Sequence, residues 1–83
     1  MQIIYKYKYQ ENISVPVGAE FLTADMQHSH IILWFSVNPT ASTTQRKFKV
    51  VGTGQYYDAV GLSYLTTIFD GQFVWHLFER ISL

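Results

Sequence analysis

Three histidines, a Gly-Thr-Gly turn and a group of basic residues are the parts of this chain whose types and spacing could do chemistry. His28 and His30 lie two apart, so on a strand they would share a face and could chelate a cation, with His76 as a third ligand. Nothing in the sequence brings residue 76 beside residue 30, and His28-Ser29-His30 reads equally as a polar hairpin tip; no metal site is expected. Gly52-Thr53-Gly54 resembles a fragment of a phosphate cradle. The full cradle also needs more glycines and a helix to receive the phosphate, so a tight turn or bulge at a strand end is the simpler reading. Arg46, Lys47 and Lys49, with Lys6, Lys8 and many rings, suggest a surface where bases stack while lysines track phosphates. The same alternation fits a strand with one polar and one buried face.

Catalytic groups are sparse. The chain has no cysteine and no Gly-x-Ser-x-Gly elbow, and Asp25, Asp58, Asp70 and Glu79 are scattered, with Glu79 placed to pair with Arg80, Lys47 or a buried hydroxyl. The expectation is a protein that is not an enzyme and carries no cofactor. If it holds a ligand, the residues to do so are Lys47, Lys49, Thr53, Gln55, Tyr56, Tyr57 and His76. His76 stands out as the one polar residue in Val74-Trp75-His76-Leu77-Phe78, a core histidine bonded to backbone or to Tyr64 in the plainest account.

These residues must be positioned by a small domain. Eighty-three residues suffice for one domain, and a chain this short hides only about 60% of its unfolded surface. Without cysteine it has no disulfides to supplement the core. Six Tyr, six Phe and two Trp are a large apolar load for the volume, which favours dense packing and a homo-oligomer. Six basic and six acidic residues cancel, which argues against a protein held to nucleic acid chiefly by phosphate neutralisation. No apolar run has the length of a membrane span, and the N-terminus lacks a signal-peptide layout, so a cytoplasmic location without membrane contact is expected.

The punctuation is that of a β protein. Residues 3–9 alternate, with Ile3, Tyr5, Tyr7 and Tyr9 on one face and lysines on the other. A short strand over 13–17 meets Pro16, so it sits at an edge or ends there. Residues 20–27 place Leu22, Ala24 and Met26 together, and 30–37 is so continuously apolar that both its faces should be covered. Further strands are expected over 45–51 and 62–69, with at most one short helical turn near residues 57–65. Asp70-Gly71 predicts a type I′ turn that sets Phe69 opposite Gln72, Ile68 opposite Phe73, Thr66 opposite Trp75 and Leu65 opposite His76. The strand from Val74 to Glu79 should then be central and well buried. About seven short antiparallel strands imply a mainly β fold, either a small barrel or a sandwich.

Ile4-Tyr5-Lys6-Tyr7, Leu33-Trp34, Val37-Asn38-Pro39, Arg46-Lys47-Phe48, Val51-Gly52-Thr53-Gly54 and Phe73-Val74-Trp75-His76-Leu77-Phe78-Glu79 together resemble a group of small uncharacterised proteins encoded by bacteriophages, prophages and their hosts. The likeness spans nearly the whole chain. Members often carry His where this chain has Gln55, and Gly where it has Thr66. The resemblance implies a phage or prophage setting and no particular activity. In that setting the chain is expected to be a small oligomeric binding protein that acts on a host protein or sequesters a host small molecule. A nucleotide or single-stranded nucleic-acid binder, and an accessory virion protein, are the alternatives.

Overall fold

A computed structural model describes residues 1–81. It contains seven strands: β1 (Ile3–Lys8), β2 (Asn12–Pro16), β3 (Glu20–Gln27), β4 (His30–Val37), β5 (Thr43–Gly52), β6 (Leu62–Asp70) and β7 (Phe73–Arg80). All pairings are antiparallel, in a three-stranded sheet of order β1-β4-β3 and a four-stranded sheet of order β2-β5-β7-β6. Of the two closures open to such a chain, the two-layer one forms. Both sheets contribute to one core, with Leu33, Phe35 and Val37 of β4 meeting Val15, Phe48, Ile68 and Leu77 of the other layer. The Phe35 and Phe48 rings cross the interlayer space at 6.1 Å. The backbone spans 40 × 33 × 15 Å, the thickness of two sheets and little more.

Alternation accounts for most of this. On β5 Phe48 is buried while Lys47 is exposed, and on β2 Ile13 and Val15 are buried while Asn12 and Ser14 are exposed. Pro16 ends β2, which is an edge strand paired only with β5. On β1 the even alternation holds, with Tyr7 and Tyr9 against the core; Ile3 and Tyr5 stay exposed at the overhanging edge.

A charged pair lies between the layers. Arg46 Nε and Nη2 donate to Glu79 Oε2 and Oε1 at 2.6 and 2.7 Å, and Nη1 donates to the carbonyl of Ala19 at 2.5 Å. The guanidinium also sits 5.3 Å from the centre of the Phe35 ring. Glu79 thus pairs with Arg46, not with Arg80 or Lys47. Arg46 faces inward and leaves the basic surface to its neighbours. Hydrogen bonding to Glu79 raises the Arg46 pKa above its ordinary value and outweighs desolvation.

Five expectations meet the structure here, and four of them are corrected. The last hairpin does not turn on Asp70-Gly71: Asp70 pairs with Phe73, Phe69 with Val74, Ile68 with Trp75 and Thr67 with His76. Gly71 alone takes positive φ (59°), with Gln72 as the second turn residue, which is the type II′ pattern. A type I′ turn would force Asp70 into the left-handed region; this register asks it only of glycine. Second, the expectation of at most one short helical turn near residues 57–65 holds with none formed: the Asp58 carboxylate accepts the Val60 N–H at 3.0 Å and folds the chain into an Asx turn. Third, Leu22 does not share a face with Ala24 and Met26. A bulge between Phe21 and Thr23 turns it outward to 47% exposure, while Ala24 stays buried. Fourth, β4 is covered fully on one face and in part on the other: Leu33, Phe35 and Val37 are fully buried, whereas on the reverse Ile32 is buried at 8% exposure and Trp34 and Ser36 are half-buried. Fifth, β7 is central to its sheet but buried only in part, with Leu77 and Phe78 enclosed and Phe73 exposed.

The β3–β4 hairpin carries local strain. Its two turn residues, His28 and Ser29, have φ of 51° and 68°, so the type I′ turn is built without glycine. Ser29→Gly should raise stability by about 1 kcal/mol, seen as a higher melting temperature, since glycine occupies this region without the Cβ penalty. Removing one member of the interlayer pair, as in Glu79→Ala, should cost about 3 kcal/mol in urea unfolding. Replacing both members together, Arg46→Met with Glu79→Leu, should cost much less, because no uncompensated charge is left between the sheets.

Candidate functional site

The outward face of the four-stranded sheet carries the polar chemistry. Register places Val51, His76 and Thr67 in one row across β5, β7 and β6, and Lys49, Phe78 and Tyr64 in the next. Lys47 and Arg80 follow in a third. The connection from Thr53 to Gly61 folds back over the first two rows. Tyr57 lies against Phe78 with ring centres 5.2 Å apart, and Tyr64 meets the other side of that ring edge-on at 5.8 Å. Val51 and Phe78, outward by register, are therefore buried at 4% and 8% exposure. The connection closes where the Gly61 carbonyl accepts the Ile81 N–H at 2.8 Å. Between loop and sheet lies a groove of about 410 Å³, reaching from Thr53 and Gln55 past His76 to Tyr57 and Tyr64.

A chain of hydroxyls and imidazole lines it. His76 Nε2 lies 2.7 Å from Thr53 Oγ1, and Nδ1 lies 3.0 Å from Thr67 Oγ1. Thr67 Oγ1 lies 2.6 Å from the Tyr64 hydroxyl. Thr53 Oγ1 is also 3.4 Å from the Val74 carbonyl, which can only accept. Among the arrangements these distances allow is one in which Tyr64 donates to Thr67, Thr67 to Nδ1, Nε2–H to Thr53, and Thr53 to Val74. Both ring nitrogens are thus engaged, and His76 is an oriented imidazole in a groove wall, not a core histidine. Tyr64 joins it through Thr67, not directly.

The chain exists because of a bulge. β6 shifts register between Tyr64 and Thr66, leaving Leu65 as the extra residue, packed toward the core. In an unbroken ladder Tyr64 and Thr67, three apart, would point to opposite faces. The bulge sets both outward and within 2.6 Å of each other.

The Gly-Thr-Gly segment is a tight turn. Gln55 N–H donates to the Gly52 carbonyl at 3.0 Å and Gly54 has φ of 91°, the type II pattern with glycine third. The Gln55 side-chain oxygen accepts the Gly52 N–H at 2.7 Å, and Thr53 N–H donates to Val74 at 3.0 Å, extending the β5–β7 ladder into the turn. A Cβ on Gly52 would meet Trp75 at 3.1 Å and the Gln55 amide carbon at 3.2 Å, so glycine is also the residue that fits.

Of the residues marked in the sequence, Thr53, Gln55, Tyr57 and His76 come together in this groove. Lys47 and Lys49 lie on the same sheet face and line an adjoining polar depression of about 180 Å³ with Glu11, Asn12 and Arg80. Tyr56 takes no part, its side chain being fully exposed on the loop. Reasoning from sequence left out two groove rings, Tyr64, which a bulge brings in, and Phe78. The parity of Phe78 with His76 was the available signal, since residues two apart on a strand share a face. The three histidines do not converge: His28 is in the β3–β4 turn and His76 is on the other sheet. Among the described residues no group of three or more His, Asp or Glu is placed to hold a metal ion. Nor is any helix there long and apolar enough to cross a membrane.

A family model for a domain of unknown function, DUF7352, matches residues 1–82, and the chain belongs to that family. No match was found among curated proteins or among solved structures.

Gln55→Ala should remove the acceptor of the Gly52 N–H. The Gly52 amide should then exchange with solvent markedly faster by NMR, while stability falls by about 1 kcal/mol and the amides of β4 are unaffected.

Proposed function

We propose that this chain is a binding protein, not an enzyme, and that its groove takes a small planar molecule bearing an anionic group, of nucleotide type. The observation that carries the reading is the succession of rows on one sheet face. Rings of Tyr57, Phe78 and Tyr64 stand beside the Thr53–His76–Thr67 hydrogen-bonded chain, with Lys49, Lys47 and Arg80 following at the open side. A planar heteroaromatic ring has apolar faces for the aromatic wall and polar edges for the hydroxyls and imidazole. A phosphate or carboxylate attached to it reaches the basic rows, where charge-assisted hydrogen bonds add affinity. The chemistry needed is recognition alone. The Thr53 hydroxyl has no carboxylate-backed base, since the second imidazole nitrogen is occupied by Thr67.

The likeness to phage and prophage proteins supplies the biological side of the proposal: a small cytoplasmic protein that withdraws a host metabolite by holding it. Neutral overall charge is compatible with this, because the basic rows are local.

Thermal-shift and calorimetric titration against nucleoside monophosphates, the matching nucleosides and inorganic phosphate test the reading. A nucleotide at about 100 times its Kd should raise stability by about 2.7 kcal/mol. Nucleoside and phosphate alone should each bind more weakly, and Lys49→Glu should weaken nucleotide binding by roughly tenfold or more. Absence of any shift at millimolar nucleotide, or equal binding by wild type and Lys49→Glu, would refute it.

A further inference from the structure

The outward face of the three-stranded sheet is a separate surface, remote from the groove by a whole layer. Its apolar middle consists of Ile4 (61% exposed), the bulged Leu22 (47%) and half-buried Trp34, around a shallow depression of about 430 Å³. Charge flanks that middle asymmetrically. The β1 side bears Lys6 and Lys8, and the β3 side bears Glu20 and Asp25, with β4 between them. Lys6 reaches across to the Gln27 side-chain oxygen at 3.1 Å, whereas the sole ion pair among the described residues is Arg46–Glu79. Lys8 and Asp25 flank Ile32 in the same row and are not paired with each other.

We propose that this face binds a second copy of the chain across a two-fold axis running parallel to β4. The argument is charge complementarity. A rotation about that axis lays the β1 side of one copy over the β3 side of the other and keeps each row at its own height along the strands. Lys8 of each copy then faces Asp25 of its partner, twice by symmetry, and Trp34 meets Trp34 at the centre. A two-fold axis perpendicular to the strands would mismatch these rows. The molecule also exposes 5650 Å², more than the roughly 5,100 Å² expected of a folded monomer of its 9.6 kDa mass. Three strands about 4.8 Å apart and up to eight residues long offer a footprint of about 400 Å² each. That is about 800 Å² in all, under the roughly 1,000 Å² that stable interfaces clear, so the dimer is a weak, transient one.

Sedimentation velocity across about 1 to 100 µM tests this. Wild type should pass from monomer to dimer over that range. Lys8→Asp and Asp25→Lys, each alone, should weaken association at least about tenfold by placing like charges together. Mixing the two single variants should restore it, because a mixed dimer recovers both Lys–Asp contacts. A pair made within one chain would be restored only by combining both changes in the same chain. A monomer throughout, with or without retention on phosphatidylcholine vesicles, would overturn the proposal. So would a dimer indifferent to both substitutions, or single variants that stay monomeric when mixed.

Discussion

The fork between Arg46 and Glu79 is the constraint around which the two layers are arranged. It is built from one sheet, Arg46 on β5 and Glu79 on β7, yet its third donor reaches the Ala19 carbonyl at the entry to the other sheet, and its face lies under Phe35. A charged pair in an interlayer space has little tolerance for sliding. Moving one sheet by a single residue would separate the guanidinium from the carbonyl and replace an aromatic face with a side chain of opposite orientation. The aliphatic core could accept several registers; the fork accepts one. Through β5 and β7 this order passes to the reverse face, since the rows that carry Lys49, Phe78 and His76 are the opposite side of the same ladder.

The site proposed on that reverse face is built from a sheet, without helices. Its polar elements are ordinary strand residues, and the covering loop is anchored at both ends, by the Gly52–Gln55 turn and by the Gly61–Ile81 contact. Preorganisation comes from the sheet. Both imidazole nitrogens of His76 are hydrogen-bonded, and Phe78 is held between two tyrosine rings. Such a wall loses little conformational entropy when a ligand arrives.

Much of this was legible in the sequence, because hydrophobic parity is a strong signal wherever a strand has one buried face. The seven strands, the edge position of Pro16 and the opposed faces of Lys47 and Phe48 followed from period two alone. Thr53, Gln55, Tyr57 and His76, chosen for chemistry and not geometry, come together in one groove. What escaped was whatever breaks parity. Bulges at Leu22 and Leu65 each insert one residue into a ladder, and no residue type at those positions announces it. Leu22 left the core, and Tyr64 joined the groove, for that reason. The one-residue displacement of the last turn has a similar origin, since an Asp-Gly pair serves either as both central residues or with glycine as the first alone. The Arg46–Glu79 pair was hidden because it is long-range and diagonal, set by how β5 and β7 align.

The same two bulges have a consequence for solubility. Strand edges are where β proteins recruit further strands and grow into fibres, and the described residues form four of them. β3 and β6 are interrupted by their bulges, and β2 ends in a proline that offers no N–H. Only β1 presents an unbroken run, and there every second residue from Lys6 onward is a lysine. A chain this rich in aromatics is thereby steered away from open-ended polymerisation and left with its faces, which close on themselves once covered.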